Sequence, residues 1–179
     1  MCSEISHYKN GTEWRNFYGR FKGKSLSAKQ TDALLTDFKK YSLGNISWVE
    51  NPKRKKIKLS EIFDGKSVWL EIGFGGGEHL IHQARLNPDI GFIGCEPYQN
   101  GVAKLVGKLR ANPCQNIKLY DGDIRNVFDV LAKNSISKVF LLYPDPWPKK
   151  RHHRRRFVTQ EFLIPLYESM KPGSVLRIA

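Results

Sequence analysis

A run of glycines next to a carboxylate is the first pattern in this sequence that could bind a ligand. The segment from Val68 to Glu78 begins as an apolar run that contains Glu71 and then breaks into glycines, among them Gly73 and Gly75. Glycine allows a positive φ and lets a ligand approach the backbone where a Cβ would collide. The N–H groups that open the following helix can bind a carboxylate or a phosphate. The segment therefore predicts a nucleotide-type cofactor site that includes Gly73 and Gly75. A glycine-rich turn without a ligand is the alternative.

The spacing of these glycines distinguishes between cofactors. A dinucleotide fingerprint, G-x-G-x-x-G, would need a third glycine where Glu78 stands. The pattern is instead E-x-G-x-G-x-G, with Glu71 two residues before Gly73. A carboxylate there can hold a hydrogen-bond network around the amino-acid end of a ligand, whereas it would repel a pyrophosphate. The arrangement resembles motif I of the class I S-adenosylmethionine (SAM)-dependent methyltransferases.

Acidic residues stand at the ends of four successive apolar segments: Glu71, Glu96, Asp123 and Asp145. Glu96 follows Glu71 by one βα unit, where a carboxylate can accept hydrogen bonds from both ribose hydroxyls. Asp123, or else Asp121, would face an adenine amino group. A single acid after a strand is more often a helix cap. The four acids together with the glycine turn favour a ligand site.

The elements that position these acids alternate between strand-like and helical patterns from Ser67 onward. The predicted strands cover residues 67–72, 91–95, 117–120, 138–143 and 174–178. The predicted helices cover residues 30–41, 78–85, 98–110, 126–133 and 160–170. The alternation is typical of a parallel sheet with helices on both faces, and ligands of such sheets bind beyond the carboxyl ends of the strands. The sequence thus predicts an α/β, Rossmann-like methyltransferase fold.

The segment after the fourth predicted strand combines a restricted loop with dense positive charge. Prolines flank Asp145 and another follows Trp147, so the loop restricts where the carboxylate points. From Lys149 to Arg156 there are six cations and two histidines in eight residues. Such a stretch can bind the phosphates of an RNA. A solvated charged face is the alternative.

The string P-D-P-W-x-K-x-R-H-x-x-R-R, which ends at Arg156, resembles the signature of the tRNA (guanine-N7-)-methyltransferase family in its bacterial form. The resemblance runs from about Phe17 to the last residue. It implies methyl transfer from SAM to N7 of a guanine in the variable loop of tRNA, at position 46 of the tRNA. It implies Asp145 as the catalytic residue and Lys149 as a substrate-binding residue. It also implies SAM contacts by the four strand-end acids: Glu71, Glu96, Asp123 and Asp145. We expect RNA phosphates to contact three arginines: Arg154, Arg155 and Arg156.

Two other functions use the same residues. Another RNA base methyltransferase is one, because N6-adenine enzymes carry a [D/N]-P-P-[Y/F/W] element at this place, although Asp145 separates the prolines here. A non-catalytic RNA-binding module on the same fold is the other. A nicotinamide oxidoreductase is disfavoured by Glu78 and the cationic loop. No cysteine nucleophile is needed for guanine methylation, because guanine N7 has a free lone pair.

The charge of the whole chain supports a polyanionic partner. The 179 residues carry a formal net charge of +13 and give a pI near 9.8, which favours nucleic acid over a membrane surface. The sequence has neither an apolar stretch of membrane-spanning length nor a signal peptide. Cys2, Cys95 and Cys114 are isolated, which suggests reduced thiols in the cytoplasm, and they lack metal-ligand spacing. Nothing in the sequence distinguishes a monomer from a homodimer.

The sequence divides into a basic extension, residues 1–62, and a methyltransferase domain, residues 63–179. The extension interleaves cations with aromatic residues: Trp14, Phe17, Tyr18 and Phe21. These aromatics could stack on RNA or pack as an arm on the main domain. A class I sheet usually continues with two more strands, so we expect the last strands of the fold to be absent from this chain. The family pattern's later substrate-contacting Asp and T-x-x-E element are absent too, and the fifth strand would be an exposed edge.

Overall fold

The computed structural model describes residues 8–9, 12–13 and 17–179, so the predicted role of Trp14 lies outside the described residues. The strands are β1 (Tyr8–Lys9), β2 (Thr12–Glu13), β3 (Ser67–Ile72), β4 (Ile90–Cys95), β5 (Ile117–Tyr120), β6 (Ile136–Leu141) and β7 (Met170–Ile178). The helices are α1 (Ala28–Tyr41), α2 (Leu59–Ile62), α3 (Glu78–Leu86), α4 (Gln99–Ala111), α5 (Ile124–Phe128), α6 (Gln160–Ser169) and a 3₁₀ helix (Lys150–Arg155).

The centre of the fold is a five-stranded sheet in the order β5-β4-β3-β6-β7, in which every pairing is parallel. β1 and β2 form a separate antiparallel pair. The central strand β3 is apolar and mostly buried, as expected for a strand that helices cover on both faces. The predicted α/β fold with a parallel sheet is confirmed. Among the described residues, no strand pairs with the outer side of β7.

Two apolar layers cover the sheet. On one face, α3 and α4 bury side chains such as Leu80 and Leu105 against Phe92 of β4. On the other face, α5 and α6 pack around β3 and β6, with Leu70 and Leu166 nearly inaccessible to solvent. Because β3, β4, β5 and β6 run parallel, their carboxyl ends meet at one edge of the sheet, between the two layers. The predicted site should lie at this edge.

Part of the chain before position 62, from α1 onward, joins the same core. α1 opens with a capping box, in which Gln30 N donates to Ser27 Oγ and Ser27 N donates to Gln30 Oε1. The helix packs on α4, and Leu43 N donates a hydrogen bond to Leu119 O at the β5 edge. Ile46 is fully buried. The division of the chain at residue 62 stays a prediction.

The predicted bounds of three elements were wrong, each for a local reason. α5 begins earlier and is shorter than the predicted 126–133, because the Asp123 side chain accepts a hydrogen bond from Arg125 N and so caps the helix there. β6 ends two residues before the predicted 143, since Tyr143 has φ 52° and leaves the sheet. β7 starts at Met170, and Pro172 lies where the register with β6 shifts, a place at which a missing N–H is tolerated.

Candidate active site

A cavity of about 970 Å³ opens at the carboxyl ends of the strands. This volume is typical of small-molecule sites. Its walls come from six parts of the chain: the turn after β3, the end of β4, the start of α5, the loop after β6, the end of the 3₁₀ helix and the start of α6. The arm from Phe17 to Arg20 closes a further side. The cavity therefore lies where the sequence predicted a ligand.

The glycine turn after β3 adopts a backbone that other residues rarely take. Gly73, Gly75 and Gly77 have φ of 73°, 55° and 76°. A Cβ at Gly73 or Gly75 would have no atom within 4 Å, so the turn leaves open space at its surface. Gly73 lines the cavity. Gly75 contributes through its N–H, which donates to Glu96 Oε2 at 2.8 Å.

Glu96 is a buried carboxylate on the cavity wall, 8% exposed. Oε2 accepts the N–H of Gly75, and Oε1 accepts the N–H of Tyr98 at 2.9 Å. Burial raises the pKa of Glu96, and the two backbone hydrogen bonds oppose that shift. A carboxylate has about four lone-pair positions, so two stay available for donors in the cavity, such as a pair of hydroxyls.

Glu71 lies behind the glycine turn and is not part of the cavity lining. It is 3% exposed, and its Oε2 is 2.6 Å from Nδ1 of His79 in the first turn of α3. Burial raises the pKa of Glu71, while the His79 hydrogen bond opposes the shift. The edge of the His79 ring packs against Phe140, with ring centroids 4.7 Å apart. The structure therefore places Glu71 as a link between β3 and α3 rather than as a lining group.

Asp123 lines the cavity and pairs with Arg125. Arg125 Nε donates to Asp123 Oδ2 at 2.9 Å, and Arg125 Nη1 donates to Glu161 at the start of α6. The Arg125 guanidinium also lies 5.1 Å from the ring centroid of Phe162. Burial alone would lower the pKa of Arg125, but its bonds to Asp123 and Glu161 raise it. Asp121, the alternative to Asp123, is not among the lining residues.

Asp145 is exposed at the cavity wall in a loop with two unusual backbone positions. Tyr143 and Trp147 have φ of 52° and 38°, conformations that cost about 1–3 kcal/mol each for such residues. Arg156 holds this loop through two hydrogen bonds: its Nε donates to Pro146 O at 2.9 Å and its Nη2 donates to Trp147 O at 3.2 Å. The loop around Asp145 is thus fixed by hydrogen bonds as well as by its prolines.

The arginines of the 3₁₀ helix and its end divide into two groups. Arg154 and Arg155 line the cavity, and both lie against the Tyr18 ring, at 5.8 and 5.1 Å from its centroid. Arg155 also lies 5.0 Å from the Trp147 ring centroid. Lys149, which precedes the helix, is exposed and outside the lining, and Arg156 is occupied by the loop. The structure brings Arg154 and Arg155 to the predicted substrate side and gives Arg156 another task.

The segment that follows the arm, from Phe21 to Lys24, makes three hydrogen bonds with α4. Gln99 N donates to Phe21 O at 2.9 Å, Gly23 N donates to Asn100 Oδ1 at 2.9 Å, and Asn100 Nδ2 donates to Lys24 O at 2.7 Å. Of the two alternatives for the aromatics, a contact with the main domain is observed for Tyr18, which lies against Arg154 and Arg155, while Phe21 is 48% exposed. Stacking on RNA stays a prediction.

Comparison with known proteins identifies the family. Residues 65–179 match the model of a family described as a putative methyltransferase. The chain is 56% identical over 172 residues to the tRNA (guanine-N(7)-)-methyltransferase of Ruegeria sp. strain TM1040, a match that covers 96% of this chain and 68% of that protein. It is 60% identical over 165 residues to the protein of that name from Roseobacter denitrificans, covering 92% and 71%. The chain belongs to the tRNA (guanine-N7-)-methyltransferase family.

Solved structures give the fold of this member of the tRNA (guanine-N7-)-methyltransferase family. The antibiotic-resistance methyltransferase Kmr superposes with a TM-score of 0.53 at 17% identity, covering 67% of this chain and 62% of that chain. A 16S rRNA (adenine(1408)-N(1))-methyltransferase W203A mutant with cosubstrate SAM, from Catenulisporales acidiphilia, gives 0.52 at 20% identity, covering 66% and 54%. These likenesses show a methyltransferase fold.

Two residues of the site in this family member were not predicted from the sequence. His79 carried a signal, because it follows Glu71 across one glycine turn and opens a helix. For Arg125 the only sequence signal was its closeness to Asp123, because its contact with Glu161 depends on the packing of α6 on α5.

Among the described residues, no group of three His, Cys, Asp or Glu could hold a metal ion. None of the described helices has the length and hydropathy that a membrane span requires.

Proposed function

We propose that this chain transfers the methyl group of SAM to N7 of a guanine in tRNA. The observation that carries the proposal is the single cavity on which Gly73, Glu96, Asp123 and Asp145 converge beside two arginines of the 3₁₀ helix. Names of relatives at 56% and 60% identity support the same reaction. We assign the reaction to residues 63–179 and regard residues 1–62 as an extension.

The residues of the cavity fit SAM. The open surface at Gly73 and Gly75 leaves room for the amino-acid end of the ligand, where a side chain would intrude. Glu96 has acceptor positions for the ribose hydroxyls, and Asp123 has one for an adenine amine. When bound, SAM supplies an electrophilic methyl group. Glu71 acts from behind, by holding α3 against β3 through His79.

The chain's own contribution to the reaction is alignment. Guanine N7 has a free lone pair, so no side chain has to remove a proton from it. The Asp145 carboxylate can accept hydrogen bonds from guanine N1–H and the exocyclic amine, which would orient N7. The strained loop, held by Arg156, keeps that carboxylate in place. Correct orientation of two reactants can contribute about 7–11 kcal/mol to a barrier.

The RNA is held by charge and by stacking. Arg154 and Arg155 can neutralise phosphates at the cavity mouth, and Tyr18 and Trp147 offer aromatic faces there. A guanine in the variable loop would have to leave its stack to reach Asp145. We place the reaction in the cytoplasm, a proposal supported by the two free, buried thiols of Cys95 and Cys114.

The proposal is tested by separating chemistry from RNA binding. Asp145→Ala should lower tRNA methylation about 100-fold and change the Kd for tRNA by less than about threefold, measured by filter binding. Asp89→Ala, in the exposed turn before β4, is the matched control and should change neither. Equal losses of methylation and binding in Asp145→Ala would contradict the assigned role of this carboxylate.

The RNA side has its own test. Replacing Arg154 and Arg155 with alanine should weaken tRNA binding and reduce the slope of log Kd against log salt by about 0.7–0.9 for each phosphate that is no longer neutralised. Replacing Lys29 and Lys39, both exposed on α1, serves as the charge-matched control. An unchanged slope in the Arg154, Arg155 variant would remove the 3₁₀ helix from the interface.

A further inference from the structure

Arg125 is a buried cation on the cavity wall to which the proposed reaction gives no task. Its side chain is 8% exposed, whereas the other arginines that line the cavity, Arg20, Arg154 and Arg155, are more accessible. Burying a guanidinium is unfavourable unless it is fully paired. The pairing of Arg125 is directed at Asp123, the acid expected to face the adenine base.

Arg125 occupies most of the hydrogen-bonding capacity of Asp123. Its backbone N donates to Oδ1 at 2.9 Å. Its Nε lies between the two oxygens, 3.1 Å from Oδ1 and 2.9 Å from Oδ2. Its Nη2 donates to Oδ2. Three N–H groups of one residue thus use three of the about four lone-pair positions of the carboxylate. One acceptor position is left for a ligand.

The guanidinium cannot turn away from Asp123, because its other end is also held. Nη1 donates to Glu161, and the ring of Phe162 lies against the same group. Both residues stand in the first turn of α6 and line the cavity. The Asp123 carboxylate is therefore fixed between α5 and α6, so that a ligand meets a rigid acceptor rather than a rotating one.

We propose that Arg125 is a positioning residue that makes the cofactor site selective for a base with an exocyclic amino group. The inference rests on the proposed function, in which that base is the adenine of SAM. The fixed Asp123 carboxylate, with one free acceptor position, binds a single N–H donor and repels a carbonyl oxygen. A hypoxanthine base, which carries a carbonyl where adenine carries its amine, is rejected. Without Arg125 the Asp123 carboxylate can rotate, so its free acceptor position is no longer held toward one position of the base and the preference for the amine falls.

The test is the ratio of two dissociation constants, measured by calorimetry on the full chain. The ligands are S-adenosylhomocysteine and S-inosylhomocysteine; in the second a carbonyl replaces the exocyclic amine of the base, and N1 carries a proton. Wild type should bind the adenosyl compound at least about tenfold more tightly, as expected for a hydrogen bond to a charged acceptor. Arg125→Met should reduce this ratio to within about threefold, and Arg125→Lys, which keeps the charge without the planar fork, should give an intermediate ratio.

The controls separate selectivity from general damage. Arg85→Met changes the same charge on the exposed side of α3 and should keep the wild-type ratio. An Arg125→Met protein that binds both ligands more weakly at an unchanged ratio overturns the inference, because Arg125 would then be only structural. If that variant does not fold, a wild-type ratio in Arg125→Lys overturns it equally. Wild-type protein that binds neither ligand would overturn the proposed function itself.

Discussion

Two arginines of this protein each bridge a pair of carboxylates, and their surroundings are opposite. Arg110 of α4 donates to Asp32 and Asp37 of α1, with its side chain 39% exposed. Arg125 donates to Asp123 and Glu161 on the cavity wall, with its side chain 8% exposed. The first cluster joins two helices at the surface. The second fixes an acceptor that faces a ligand.

The consequences of the same ionic arrangement are therefore set by burial and position. Removing Arg110 would leave Asp32, whose side chain is 60% exposed and can be solvated, and Asp37, whose side chain is only 12% exposed but keeps its bond to Lys40. Removing Arg125 would leave Asp123 in a site where its side chain is only 13% exposed. Breaking such a buried pair costs about 3–5 kcal/mol, because the remaining charge is uncompensated.

Exchanging each arginine for methionine should give the largest contrast. Arg125→Met is expected to lower the free energy of unfolding by about 3–5 kcal/mol and to weaken S-adenosylhomocysteine binding about tenfold. Arg110→Met should lower the free energy of unfolding less and leave the affinity within about twofold of wild type. Urea unfolding and calorimetry check both. An equal loss of affinity in the two variants would remove the distinction between the clusters.

The pH dependence of the surface cluster gives the next effect. Hydrogen bonds from Lys40 and Arg110 lower the pKa of Asp37 from 3.8 to about 2. A lowered folded-state pKa means that the carboxylate stabilises the fold above the unfolded value and loses this effect as the pH falls toward about 2. Asp37→Asn should therefore have a lower urea midpoint than wild type at pH 7, and the gap should close near pH 2. The exposed Asp64→Asn serves as the control. A gap of constant size would contradict this origin.

Glu71, a buried carboxylate without an arginine partner, should show the smallest effect of pH on stability, and its sign should be opposite to that of Asp37. Burial raises the pKa of Glu71, whose partner is His79, above its usual 4.5. A raised folded-state pKa means that the stabilising contribution is complete below about 4.5 and declines as the pH rises through the folded value. Glu71→Gln should gain on wild type in urea midpoint as the pH is raised from about 4.5 to 7. A relative loss over that range would show that the His79 bond outweighs burial.

How much of this could be predicted from sequence depends on whether the signal was local. β3 and β5 were predicted at their observed bounds, because apolar runs ended at glycines or at an acid. α6 was predicted to within one residue. The cavity edge followed from the parallel sheet, so Glu96, Asp123 and Asp145 were expected near one another, and all three line the cavity.

The hydrogen-bond partners of two predicted site residues could not be predicted, because they depend on how the chain folds around them. Glu71 was expected to contact SAM, which stays a prediction; its bond to His79 is set by the packing of α3 on β3. Arg156 was expected to bind phosphate, which stays a prediction; in the structure it donates to the carbonyls of Pro146 and Trp147. The spacing of Glu71 and His79 across the glycine turn was a weak signal, whereas nothing in residue type or spacing indicated the partners of Arg156. A pattern predicts that a charge is present, and only the fold decides what it faces.

The proposed reaction is best tested by transfer of labelled methyl from SAM to unmodified tRNA, followed by chemical cleavage at 7-methylguanosine. We predict a single cleavage at a variable-loop guanine, present with wild-type chain and with Asp89→Ala and lost with Asp145→Ala. Methyl groups on another atom, or no transfer to tRNA by a chain that binds S-adenosylhomocysteine, would contradict the assignment.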